Sequence, residues 1–152
     1  MVRILSIANQ KGGVGKTTTS INLAASLAAY KKRVLLVDLD PQGNTTMGSG
    51  IDKQTCESSV YDVLTEKKSI EDCIVTSETG KYHLLAANAD LVAAEVELIQ
   101  EIGRETRLRF ALERVSDRYD YVIIDCPPSL NMLTVNALVA SEGVLILSLI
   151  HI

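Results

Sequence analysis

Lys11-Gly12-Gly13-Val14-Gly15-Lys16-Thr17-Thr18 is the stretch from which the fold of this chain can be read. Set against the phosphate-binding pattern G-x-x-x-x-G-K-[ST], Gly15, Lys16 and Thr17 take the last three positions, while Gln10 stands where the first glycine belongs. A second lysine, Lys11, follows at once. Ahead of the loop, Ile4-Leu5-Ser6-Ile7-Ala8 reads as a short apolar strand. Behind it, Thr17 to Tyr30 reads as a helix with Ile21, Ala24, Ala25 and Ala28 on one buried face. Strand, glycine-rich turn and helix start aim successive backbone N–H groups and a positive helix end at one point, where phosphate is stabilised. In such a cradle Lys16 neutralises the β- and γ-phosphates and the Thr17 hydroxyl ligates Mg²⁺. One lysine is enough for the phosphates of one nucleotide. A second on the outer lip points to a site completed by another molecule.

Val34-Leu35-Leu36-Val37, Tyr121-Val122-Ile123-Ile124 and Val144-Leu145-Ile146-Leu147 are unbroken apolar runs. Such runs without alternation indicate strands buried on both faces of a parallel sheet. Tyr82 to Ala86 is a weaker strand. Helical patterns lie between them at Val60 to Glu66, Asp90 to Gln100, Glu105 to Asp117 and Asn131 to Ala140. Strands alternating with helices predict an α/β domain with a doubly wound, mostly parallel sheet and helices on both faces. With 152 residues, 47% of them hydrophobic, the chain is bounded at one compact α/β domain, or part of one, spanning 1–152.

Asp38 and Asp40 end the second apolar run, at the carboxyl edge where open α/β sheets bind ligands. Pro41 and Gly43 then force a turn, and Asn44, Thr45 and Thr46 supply polar groups. Two carboxylates beside a phosphate site are costly unless a metal, a water or a lysine compensates them. Alone, this D-x-D-P run reads equally well as an exposed turn; joined to the two-lysine loop, it reads as a switch segment. Asp125 follows the apolar run of the later strand and is placed to hold Mg²⁺, directly or through water, opposite Thr17. The competing reading is a helix cap for the segment that begins near Asn131. Pro127-Pro128 cannot continue the strand ladder, so the backbone must swing away there.

Three blocks of the sequence, Lys11 to Thr18, Asp38-Leu39-Asp40-Pro41-Gln42-Gly43-Asn44 and Val122-Ile123-Ile124-Asp125-Cys126-Pro127-Pro128-Ser129, carry a family likeness. Through them the chain resembles the ParA/Soj-type partitioning ATPases, a branch of the MinD-like nucleotide-binding proteins with a deviant Walker A loop. The resemblance covers Met1 to about Leu147. It implies a P-loop fold and a Mg²⁺-dependent ATP hydrolase with ATP and Mg²⁺ as cofactors. Gly12, Gly13, Val14, Gly15, Lys16, Thr17 and Thr18 would hold the nucleotide. Thr17, Asp38 and Asp125 would serve the metal, with Asp38 supporting its bound waters. Lys11, Lys16 and Asp40 would be catalytic, Asp40 orienting the attacking water and Lys11 reaching across a nucleotide-sandwich dimer to the partner's phosphates. The resemblance further implies a homodimer formed on ATP binding, DNA binding without sequence preference, and stimulation by a ParB-like centromere-binding protein. It implies a cytoplasmic, nucleoid-associated location and no membrane attachment. A MinD-like division-site ATPase shares the loop but binds membrane, and the Asp-Pro-Gln-Gly-Asn run favours partitioning over it. A nucleotide-gated binding module without turnover is the alternative outside the enzymes. An iron–sulfur reductase component of the same superfamily needs bridging cysteines in glycine-rich loops, and these are missing.

Composition narrows the remaining choices. The net charge of −4 argues against a generally basic nucleic-acid binder, though not against a local basic patch formed on dimerisation. Cys56, Cys73 and Cys126 are odd in number and widely spaced, with no C-x-x-C pair, which fits reduced thiols rather than a disulfide framework. Cys126 reads as a small buried residue, and His83 and His151 as structural. Arg104, Arg107, Arg109 and Arg114 alternate with Glu101, Glu105 and Glu113 as on a solvated helix face with i,i+4 pairs; a partner or DNA surface there is the alternative. No charged leader with a long apolar core opens the chain, and no apolar run reaches the ~18 residues of a spanning helix. A parallel strand ending near Leu147 should lead into a crossover helix, so the chain reads as an N-terminal part with its C-terminal continuation missing and with 148–152 as foreign residues.

Overall fold

The structure, a computed structural model, describes residues 1–9 and 16–147. The loop residues Lys11 to Gly15 and the tail Ser148 to Ile152, on which several expectations rest, lie outside the described residues. Six strands form one sheet: β1 (Arg3–Asn9), β2 (Val34–Asp38), β3 (Ile74–Ser77), β4 (Tyr82–Leu85), β5 (Tyr121–Asp125) and β6 (Gly143–Leu147), in the order β3-β4-β2-β5-β1-β6. All pairings are parallel except β3 with β4, a hairpin whose turn carries Lys81 at φ 61. The helices are α1 (Lys16–Ala29), α2 (Asn44–Gly48), α3 (Val60–Leu64), α4 (Ile70–Cys73), α5 (Leu91–Ile99), α6 (Arg107–Glu113) and α7 (Met132–Ala140).

Alternation along β2 shows how the layers form. Val34 and Leu36 point to one face, where they join Ile7, Ala24, Leu84 and Ile123 under α1. Leu35 and Val37 point to the other, where Leu64, Leu91, Leu98, Leu108, Leu112 and Leu133 of α3, α5, α6 and α7 cover them. Every residue of β2 is buried, as expected of a strand with an apolar layer on each side. The doubly wound α/β fold read from the sequence is therefore the observed one.

Three differences have local causes. β6 forms and pairs with β1, but Val144, Leu145 and Ile146 are 44%, 46% and 62% exposed, because β6 is the edge of the described sheet. The polar stretch after Gly43 is not only a loop: Asn44–Gly48 closes into α2, with Gly43 left-handed at φ 69 immediately before it. The segment read as one helix from Glu105 to Asp117 is α6 flanked by short 3₁₀ turns at Arg104–Thr106 and Ser116–Arg118. No helix among the described residues is long and apolar enough to cross a membrane.

Candidate functional site

Adjacent parallel strands in matched register bring their terminal residues side by side. β2 and β5 pair from Val34 with Tyr121 to Asp38 with Asp125, and β1 places Ile7 beside Asp125. The two carboxylates foreseen at separate strand ends are thus neighbours at the centre of the sheet's carboxyl edge, and both are fully buried. β1 ends at Asn9 on this edge, and α1 starts at Lys16. Thr17 is half-buried in its first turn, and Thr18 is exposed.

The chain then folds back over this edge. The Asp40 carboxylate accepts the Gln42 N–H at 3.0 Å, and Gly43 N–H donates to the Asp40 carbonyl at 2.9 Å. A Cβ on Gly43 would sit 2.7 Å from the Lys53 side chain, whose ammonium donates to the Gln42 carbonyl, so a larger residue here would meet both a wrong φ and a filled space. This tight turn delivers α2 onto the carboxylates. Thr45 donates its hydroxyl to Asp125. Thr46 donates to Asp38 twice, by N–H at 2.9 Å and by hydroxyl at 2.7 Å, and Asp40 N–H reaches the other Asp38 oxygen at 3.1 Å. The Thr46 hydroxyl oxygen in turn accepts the Ala87 N–H at 2.9 Å, just past the end of β4.

Burial pushes the Asp38 carboxyl up to about 7, and the neighbouring Asp125 pushes the same way; the Thr46 and Asp40 donors oppose both. No Lys or Arg among the described residues is bonded to Asp38. Two buried carboxylates, hard oxygen donors that accept bonds from the Thr45 and Thr46 hydroxyls, suit a divalent cation, and the Thr17 hydroxyl is of the same hard-oxygen class. The described residues hold no cluster of three or more His, Cys, Asp or Glu placed to bind a metal by themselves. Mg²⁺ usually takes one or two carboxylates and completes its shell with phosphate and water.

Asp125 is not the cap of α7: Asn131 caps it, accepting the Thr134 N–H at 3.1 Å. Cys126 is fully buried. His83 bonds the Tyr119 hydroxyl through Nδ1 at 2.7 Å with edge-on ring contact, a structural role. The arginines are not a simple solvated face. Arg107 is largely buried and bridges Glu66 at 3.1 Å and Glu101 at 3.3 Å, while Arg114 grips Glu71 with two bonds, and only Arg109 pairs within its helix, with Glu113. Sequence reasoning missed the specific work of Thr45 and Thr46. Their only signal was a pair of hydroxyls two and three residues after the turn-forming Gly43.

The matching family model is that of an AAA domain, over residues 2–151. The Bacillus subtilis (strain 168) sporulation initiation inhibitor protein Soj is 54% identical over 146 residues, 96% of this chain and 58% of Soj. The chromosome partitioning protein ParA of Myxococcus xanthus (strain DK1622) is 51% identical over 144 residues, 95% of this chain and 51% of that protein. Among solved structures, the cobyrinic acid a,c-diamide synthase of Mycobacterium smegmatis with bound ATP analog and magnesium superposes with a TM-score of 0.94 at 44% identity, covering 96% of this chain and 59% of that one. The chain thus spans a little more than half the length of each of these three proteins.

Proposed function

Since the chain belongs to the AAA-domain family, and its likeness within that family is to ParA and Soj, we propose that it is the nucleotide-handling part of a Mg²⁺-dependent partitioning ATPase. The observation that carries this reading is the registered pair Asp38 and Asp125, both buried at the sheet edge from which α1 starts. The solved relative with an ATP analog and magnesium supports the same pair of cofactors here.

In this reading the backbone N–H groups from Gly12 to Thr18 cradle the phosphates, and Lys16 neutralises their charge. The Thr17 hydroxyl, Asp38 and Asp125 hold Mg²⁺, directly or through its waters. Bound Mg²⁺ would supply electrostatic stabilisation of the phosphate charge. Asp40, held in its turn by Gln42 N–H, orients the attacking water. Lys11 serves the triphosphate of a second copy across a dimer, where an added cation stabilises charge developing on the transferred phosphoryl. Hydrolysis removes that contact and the dimer separates. The dimer binds DNA without sequence preference, and a ParB-like protein stimulates turnover.

Fluorescent ATP-analogue binding and phosphate release test the reading. Lys16→Ala abolishes nucleotide affinity. Lys11→Ala leaves monomer binding largely intact and removes ATP-dependent dimerisation and turnover. Binding without turnover, with DNA and a ParB-like partner present, contradicts the hydrolase and leaves a nucleotide-gated module.

A further inference from the structure

Resting on that reading of the site, we propose that Thr45 and Thr46 are its positioning residues: the two hydroxyls of α2 set the buried carboxylates for a metal–nucleotide complex. Three features of the geometry carry the inference. Thr45 and Thr46 are fully buried although both are polar and sit in a helix of a single turn. Their hydroxyls divide the labour, Thr45 bonding Asp125 and Thr46 bonding Asp38, so one short element fixes both carboxylates. Thr46 also takes the Ala87 N–H, which ties α2 to the end of β4 and not only to the site.

That tie continues. Asn88, next in the chain, accepts from Ser59 Oγ and from Asp90 N–H, both at 3.1 Å, and donates to the Cys56 carbonyl at 3.1 Å. Ser59 in turn caps α3. Asp38 is therefore anchored through Thr46 to the segment that starts both α3 and α5. A carboxylate that meets a metal or its waters with one oxygen needs its rotation about χ fixed by what bonds the other. Groups in that supporting position typically change metal affinity by about 10–100-fold when lost.

The test is a Mg²⁺ titration of fluorescent ATP-analogue binding to the full chain. In Thr45→Val the Mg²⁺ midpoint rises about tenfold or more, while affinity in EDTA stays that of the unmutated chain; Thr45→Ser restores the midpoint. A role confined to folding would not move the midpoint at constant EDTA affinity. An unshifted midpoint in Thr45→Val, or a Thr45→Ser chain as impaired as Thr45→Val, overturns the inference and leaves the ATPase reading intact. A wild-type chain whose binding ignores Mg²⁺ overturns both. A second measurement needs no variant: amide exchange at Thr46 and Ala87 slows when Mg²⁺ and the analogue are added, and unchanged exchange at both counts against the inference.

Discussion

The strand ends at β2 and β5 and the outer edge at β6 are written in the same alphabet of Val, Ile and Leu, yet they finish in opposite surroundings. β2 lies between β4 and β5 with an apolar layer on each face, and its last residue, Asp38, is held by three donors. β6 has one described neighbour, β1, and its side chains border an apolar cavity of about 350 Å³ lined by Ala8, Pro127, Pro128, Leu130, Leu138 and Ile146. In these runs strand formation follows from side-chain type alone. Burial, and the chemistry that burial makes possible, depends on position in the sheet.

The largest expected contrast is in packing. Leu36→Ala, at a fully buried site, costs about 2–5 kcal/mol by denaturant unfolding, whereas Leu145→Ala, at a site 46% exposed, costs under about 1 kcal/mol. Equal losses would erase the distinction between the two regions.

Next comes pH. Asp38 titrates near 7 in the folded, metal-free chain and near 4 when unfolded, so its contribution to stability is fully present below about pH 4 and is lost as pH rises through 7. The loss is on the order of 4 kcal/mol at most. Unfolding followed from pH 4 to 8 in wild type and Asp38→Asn should show that decline only in the wild type; parallel curves would mean that Asp38 is not strained by burial.

Thr46→Val strips one donor from Asp38 and leaves the Ala87 N–H without its acceptor, for an expected loss of about 1–3 kcal/mol, with Thr46→Ser close to wild type. The smallest effect belongs to the edge. Ile146→Lys, at 62% exposure, changes stability by no more than about 0.5 kcal/mol by denaturant unfolding. A loss comparable to that of Leu36→Ala would show β6 to be an interior strand after all.

The contrast also explains what could be read in advance. β1, β2, β5 and the helices around them were legible because apolar runs and helical periodicity are local signals. Asp38 and Asp125 were legible because each ends such a run. β3 escaped notice: Ile74-Val75-Thr76-Ser77 is four residues long with only Ser77 fully buried, and its pairing with β4 makes it a strand. Thr45 and Thr46 were visible as polar residues but not as partners of particular carboxylates, because Thr45 reaches Asp125 across 80 positions of sequence. Arg107 looked like a solvated charge for the same reason, since Glu66, brought in from the end of α3, helps to enclose it. Contacts closed by the fold carry no short-range signature.

Calorimetric titration of ATP into the full chain, with Mg²⁺ and then with EDTA, tests the central claim most directly when repeated on Asp125→Asn. The account predicts tight binding that needs Mg²⁺ in the wild type and loses most of its Mg²⁺ dependence in the variant. Identical heats for both chains, with or without the metal, would contradict it.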